Sequence, residues 1–220
     1  MSPIIEIKNA TFSYQNKYQS VPAIQEVSTA FERGKLYAII GKSGSGKTTL
    51  LSLMAGLALP ETGQILFQGV PTDSFDLDQY RREKVAVIYQ SFNLFPLMTC
   101  LENVCYPLEL MGYSPKEAAV IAKDYIRKVD LPDTVYNRFP NMLSGGEQQR
   151  IAIARALASG AQVILADEPT GNLDVATGRR IVKLLSDLVH NDNYAVIIVT
   201  HDVSISEIAD EVLQMQDGRL

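Results

Sequence analysis

An uninterrupted apolar run, Leu36-Tyr37-Ala38-Ile39-Ile40, opens directly onto Gly41-Lys42-Ser43-Gly44-Ser45-Gly46-Lys47-Thr48, and this junction restricts the fold more than any other stretch. A run with no polar alternation reads as a strand buried on both faces. The eight residues after it satisfy G-x-x-x-x-G-K-[ST] in full. Glycine lets the backbone curl closely enough for successive N–H groups to face one anion. A helix beginning at Lys47 adds the positive end of its dipole. In that arrangement Lys47 reaches the β- and γ-phosphates of a nucleoside triphosphate, and Thr48 turns its hydroxyl to Mg²⁺. Gly41, Ser43, Gly44, Ser45, Gly46 and Thr49 complete the predicted cradle. The plain alternative, a flexible Gly/Ser turn ahead of a helix, leaves the strand before it unexplained.

Around this junction, strand and helix patterns alternate. Ile5-Glu6-Ile7-Lys8 has the alternation of a half-buried strand, residues 10–14 continue it, Glu32-Arg33-Gly34 is a turn, and residues 64–69 read as a short strand and turn. Val85-Ala86-Val87-Ile88-Tyr89, Val163-Ile164-Leu165-Ala166 and Ala195-Val196-Ile197-Ile198-Val199 read as further buried strands, with a helix over 175–189 between the last two. Gly56 is placed to stop the helix that starts at Lys47. The fold class is therefore α/β, with a mostly parallel sheet flanked by helices and an N-terminal antiparallel β subdomain. From residue 91 to 150 the character changes. Residues 114–129 have helical periodicity, with Ser114-Pro115 as cap and first-turn proline, so an inserted α-helical lobe is expected. The 220 residues form one domain on this reading: core and β subdomain over 1–90 and 151–220, helical lobe over 91–150.

Composition removes several classes. A net charge of −5 opposes a general nucleic-acid binder, which needs a basic footprint. Cys100 and Cys105, the two cysteines present, suit reduced residues of a cytoplasmic protein. The longest apolar stretch, around residues 50–59, ends at Pro60 and falls short of the roughly 18 residues of a membrane span. No basic segment followed by an apolar one marks the N-terminus as a secretion signal. Any work at a membrane is expected to depend on a partner.

Two further segments carry chemistry. Asp167-Glu168 ends the strand that begins at Val163, and active sites of open α/β sheets lie at the carboxyl ends of strands. Asp167 is placed to hold Mg²⁺ through water and Glu168 to orient or deprotonate an attacking water. Alone, the pair followed by Pro169 would read as a solvated acidic turn. In Leu143-Ser144-Gly145-Gly146-Glu147-Gln148, Ser144 and Glu147 have capping-box spacing, so a helix starts there. Two glycines in its first turn cost about 1 kcal/mol each. They imply a group that must approach the backbone closely, and a second phosphate-contacting surface implies a nucleotide gripped by two subunits.

With these segments the chain resembles the nucleotide-binding subunit of ATP-binding cassette (ABC) transporters, with a P-loop NTPase core. The resemblance rests on the phosphate loop, Gln90, the Leu143–Gln148 signature, Asp167-Glu168 and His201 occurring in that order. It implies that Tyr14 stacks on adenine, where the alternative is an aromatic buried at a strand end. It implies that Gln90 senses Mg²⁺ and the γ-phosphate and links core to lobe, where the alternative is an ordinary loop residue. His201 then contacts the γ-phosphate and steadies Glu168, instead of merely capping a strand, while His190 reads as a surface residue. Asp174 contacts the partner's site. Two copies stack head to tail, so that Ser144, Gly145, Gly146 and Glu147 of one cover the ATP held by Lys47 of the other. Closure and opening drive a separate permease. The implied cofactors are ATP and Mg²⁺.

Gln90-Ser91-Phe92-Asn93-Leu94-Phe95-Pro96 and the run from Ala166 to Asp174 resemble the branch serving lipoprotein release, macrolide export and antimicrobial-peptide resistance. There the permease often transmits force instead of pumping. Cell-division ABC ATPases share much of the pattern, and the lack of a domain after Leu220 points away from sugar-import ATPases. A permease contact is expected on the lobe near Gln90, with Phe92, Leu94, Phe95 and Leu97 either lining a groove or packing the lobe's core. The implied location is cytoplasmic, peripheral on the inner face of the membrane, with no membrane insertion. Two rivals are a soluble ABC ATPase acting on nucleic acid, opposed by the acidic balance, and a P-loop kinase or GTPase, which leaves the Leu143–Gln148 segment unexplained.

Overall fold

The computed structural model describes residues 2–15 and 19–220. Strands β1 (Ile5–Gln15) and β2 (Ser20–Phe31) pair antiparallel. Strand β3 (Leu36–Ile40) then leads into helix α1 (Lys47–Met54), which ends at Ala55 with Gly56 in the left-handed region, φ 65°. Strands β4 (Thr62–Phe67) and β5 (Val70–Pro71) close an antiparallel sheet of order β2-β1-β4-β5. After helix α2 (Leu77–Glu83) comes strand β6 (Val85–Tyr89). The lobe holds helices α3 (Cys100–Leu110) and α4 (Pro115–Lys128), and helix α5 (Gly145–Ala158) returns to the core. Strand β7 (Val163–Asp167), helix α6 (Val175–Asp192), strand β8 (Ala195–Thr200) and strand β9 (Glu211–Gln214) complete the chain.

The second sheet, β6-β7-β8-β3-β9, is parallel throughout. Its period of two explains the two cores. Tyr37, Ile39, Leu165, Ile197 and Val199 face α1 and the antiparallel sheet, while Leu36, Ala38, Ala166, Val196 and Ile198 face α5, α6 and the lobe. Each side chain of Leu, Ile or Val size buried in this way contributes about 1.5–3 kcal/mol. Every one of these ten is at most 1% exposed, so the sheet's carboxyl edge is a rigid base for loops.

Helices α3, α4 and α5 each begin with a complete capping box: Thr99 with Glu102, Ser114 with Glu117, Ser144 with Glu147. Helix α5 passes through position 150 without interruption, so the boundary placed there by the sequence lies inside a helix that core and lobe share. Cys100 and Cys105 are free and buried, and burial pushes both thiols up to about 11. They therefore stay protonated packing residues of α3.

Candidate functional site

A cleft of about 680 Å³ opens where β3, β7 and β8 end. Gly46, at φ 106°, caps α1. An added Cβ there would overlap the Ala23 carbonyl of β2, so only glycine fits. Lys47 is buried, and its ammonium donates to the carbonyls of Gly41 (2.8 Å) and Lys42 (3.0 Å), arching the side chain over the loop. Thr48 Oγ1 donates to Asp167 Oδ1 at 3.2 Å, joining the loop to the end of β7. Burial pushes the Asp167 carboxyl above its usual range and the Glu168 charge adds to this, against the Thr48 hydrogen bond and the Lys47 charge. A cation beside Asp167 would relieve that cost. Two hard oxygens, a hydroxyl and a carboxylate, side by side fit Mg²⁺, which draws its remaining ligands from water and phosphate.

Glu168 sits at φ 47°, a conformation that costs a non-glycine residue of order 1 kcal/mol and is concentrated at functional sites. Its N–H donates to the Val199 carbonyl at 2.9 Å, which turns the side chain toward the end of β8. There its carboxylate accepts from Thr200 Oγ1 (2.8 Å) and the His201 N–H (3.0 Å), and His201 Nδ1 lies 2.8 Å away. A proton on Nδ1 donates to the carboxylate and leaves Nε2 to meet a ligand. The His201 side chain is 68% exposed against 16% for Glu168, so the acid is held and the ring is presented.

Gln90 lines the same cleft, but its amide donates to Asn172 Oδ1 (3.2 Å) while Asn172 Nδ2 donates back to the Gln90 carbonyl (3.0 Å). It is thus tied to the loop after β7, not to Asp167. Tyr14 is not a core aromatic. Its ring is 55% exposed at the cleft, edge-on to Phe12 at 5.2 Å, with its hydroxyl 3.1 Å from Thr49 Oγ1.

The signature residues stand apart from this cleft, which none of Ser144, Gly145, Gly146 and Glu147 lines. Ser144 Oγ donates to Glu147 at 2.7 Å, and the Ser144 N–H donates to the same oxygen at 2.8 Å. Gly146 is explained inside the chain. A Cβ on Gly146 would overlap the Thr177 methyl of α6, and one on Gly145 would press on Leu173 Cδ2 at 3.2 Å. Thr177 is thus one group, within the chain itself, whose close approach Gly146 permits. Asp174, the N-cap of α6, accepts from the Thr177 N–H at 3.0 Å, and hydrogen bonds from Thr177 hold its carboxyl below the usual range. Asp174 lies in a separate hollow of about 350 Å³. Gly146→Ala should lower stability by about 1–3 kcal/mol, and Thr177→Ser, which removes the methyl and keeps the hydroxyl, should restore most of it. Urea denaturation of the single and double variants checks this; additive losses would contradict it.

Some residues of the site carry no sequence signal of their own. Ala23 touches Gly46 from an edge strand that nothing in the sequence marked. Thr200, the last residue of β8, and Asn172, inside the loop between β7 and α6, are single polar residues. Gln149, fully buried, donates from Nε2 to the Pro169 carbonyl at 2.9 Å and so ties α5 to the loop after Glu168. Its one legible sign is a polar residue on a helix face that is otherwise apolar.

Comparison with known proteins matches residues 24–171 to the ABC transporter family model. The Lipoprotein-releasing system ATP-binding protein LolD 2 of Rhodopirellula baltica is 37% identical over 99% of this chain and 88% of its own. The Macrolide export ATP-binding/permease protein MacB 2 of Aeromonas hydrophila is 38% identical over 99% of this chain and 34% of its own. The ABC transporter cassette MJ0796 of Methanocaldococcus jannaschii, solved as a dimer, superposes with a TM-score of 0.90 at 37% identity, covering 98% of this chain and 96% of that one.

Proposed function

The chain belongs to the ABC transporter family as an ATP-hydrolysing, nucleotide-binding subunit, and we propose that two copies close on two ATP molecules to drive a separate membrane permease. One observation carries this reading. Lys47, Thr48, Asp167, Glu168 and His201 converge on one cleft, while the Ser144 helix start lies outside it. Each cleft is completed by the signature of a second copy. Glu168, held by Thr200 and His201, accepts a proton from the attacking water as it adds to the γ-phosphorus, and the bond from that phosphorus to the β–γ bridging oxygen breaks to release ADP. Lys47, once it leaves the Gly41 and Lys42 carbonyls, meets the β- and γ-phosphates. Tyr14 supports the adenine. Mg²⁺, held by Thr48 and Asp167, supplies charge neutralisation at the phosphates when bound. Gln90 joins that set only by leaving Asn172, which couples the nucleotide to the lobe.

The permease contact is read from a groove of about 330 Å³ between α2, β6, α3 and α5. Of the four candidates, Leu94 packs against the core and Phe92 faces Gly145, whereas Phe95 lines the groove and Leu97 is 91% exposed. Asn103, wholly buried, donates to the Phe95, Met98 and Thr99 carbonyls and so fixes this loop on α3. Arg155 donates to the Asn93 carbonyl at 2.8 Å and lies over the Phe95 ring. Arg81, Arg82 and Arg155 border the groove and no carboxylate does. The occupant that fits is a short amphipathic cytoplasmic helix of the permease bearing an acidic residue. Phe95→Asp should abolish co-purification with the permease while the isolated subunit keeps its ATPase rate within about twofold. Retained co-purification would count against the groove.

Among the described residues no helix is long and apolar enough to cross a membrane. On the proposed reading the subunit sits peripherally on the cytoplasmic face, held by the permease. Relatives in lipoprotein release and macrolide export support an exporting or force-transmitting role.

A further inference from the structure

Beyond β9 the chain reverses in a tight turn at residues 216–219, closed by mutual Gln216–Arg219 backbone bonds of 2.9 Å, with Asp217 at φ 48° and Gly218 at φ 77°. This turn is wedged between the phosphate loop and β2. The Gly218 N–H donates to the Ser45 carbonyl at 2.9 Å, and the Gln25 N–H donates to the Gly218 carbonyl at 2.8 Å. The Gln25 side chain donates to the Asp217 carbonyl at 2.7 Å and accepts from Arg219 Nη2 at 3.3 Å. The Ser45–Gly46 peptide is trans, so its C=O and N–H point in opposite directions. Holding the Ser45 carbonyl against Gly218 therefore turns the Gly46 N–H away from the turn, toward the side where Gly46 and Lys47 line the cleft. The Ala23 carbonyl blocks Gly46 from the β2 side, so the peptide is gripped from two directions.

We propose that Gly218 and Gln25 are positioning residues for ATP hydrolysis, fixing the Ser45–Gly46 peptide so that the loop's N–H groups are aligned on the phosphates before nucleotide arrives. The inference rests on the phosphate-loop reading of the cleft. Its consequence is that part of the affinity for ATP resides in a turn and an edge strand that do not touch the nucleotide.

Steady-state ATPase kinetics and titration with a fluorescent ATP analogue on the full chain test it. Gly218→Ala places a Cβ 2.8 Å from the Ala23 carbonyl at a left-handed φ, which pushes the turn off β2. It should raise KM and the analogue's Kd about tenfold with kcat within about twofold, since an aligned donor to a charged phosphate is lost. Gln25→Ala removes two side-chain bonds from a half-buried position on an edge strand, leaves the fold's melting temperature nearly unchanged, and should raise KM about threefold. A purely structural role would lower the active fraction, and hence kcat, at constant KM. That result, or wild-type KM in both variants, overturns the inference. Lys47→Ala runs alongside: unchanged affinity there would overturn the reading of the cleft itself, whereas lost affinity there with wild-type behaviour at Gly218 and Gln25 overturns only the proposed clamp.

Discussion

Glu168→Gln should leave ATP binding intact, reduce turnover by about 10²–10⁴-fold, and leave a dimer that persists on size-exclusion chromatography in ATP but not in ADP. The geometry of the acid explains the size of the effect. Its carboxylate accepts from the Thr200 hydroxyl and the His201 N–H, and His201 Nδ1 stands at 2.8 Å. Glutamine preserves the volume and offers one acceptor oxygen, but its NH₂ group then confronts a donor. With its oxygen at the position that takes both His201 bonds, the NH₂ meets the Thr200 hydroxyl, which must turn to accept; with the amide reversed, the His201 backbone N–H loses its acceptor. Both outcomes leave no carboxylate to take a proton from water. Binding should survive because, on the proposed reading, the phosphate contacts come from Lys47 and the loop and not from Glu168. Removing a negative charge from the side of Asp167 also eases the approach of the polyphosphate. Monomer elution in ATP together with unimpaired hydrolysis would reject both the role of Glu168 and the two-copy site.

How far such a site can be read from residues alone depends on whether each contact leaves a local trace. Strands β3, β6, β7 and β8 leave one, because burial on both faces makes each an uninterrupted apolar run. The phosphate loop and the Ser144 cap leave one, because each is a local backbone device with residue types at short, defined spacings. Strand β2 leaves none. Val21-Pro22-Ala23 sits at an exposed edge, where neither alternation nor burial imposes a pattern. Yet Ala23 makes glycine obligatory at position 46. The reason for Gly146 is equally invisible, since Thr177 reaches it only once α5 and α6 have packed. Gln90 is the instructive case. Its place after a buried strand is legible, but its partnership with Asn172 depends on the adjacency of β6 and β7 in the sheet. The loop after Gln90 shows the same limit. Four neighbouring apolar residues look alike in the sequence, and only the fold separates Leu94, which packs half-buried against the core, from Leu97, which is left in solvent.

Ser144→Arg should separate binding from hydrolysis most sharply of all. In a single copy, Ser144 lies outside the cleft that holds Lys47, so a nucleotide bound to the monomer does not meet it. Affinity of the monomer for ATP should therefore stay within about twofold, while turnover falls more than about 100-fold because the second half of the site no longer closes on the phosphates. Two separate effects of the substitution must be told apart. Arginine removes the capping box with Glu147, which costs about 1 kcal/mol, and it also projects a long side chain from an exposed helix start. Ser144→Ala isolates the first effect: it loses the cap but keeps the surface open, and should retain far more activity than Ser144→Arg at similar stability. If the signature served the nucleotide of its own chain, Ser144→Arg would weaken binding to the monomer in step with hydrolysis. A matched loss in both measurements is thus the outcome that would remove the second copy from the mechanism.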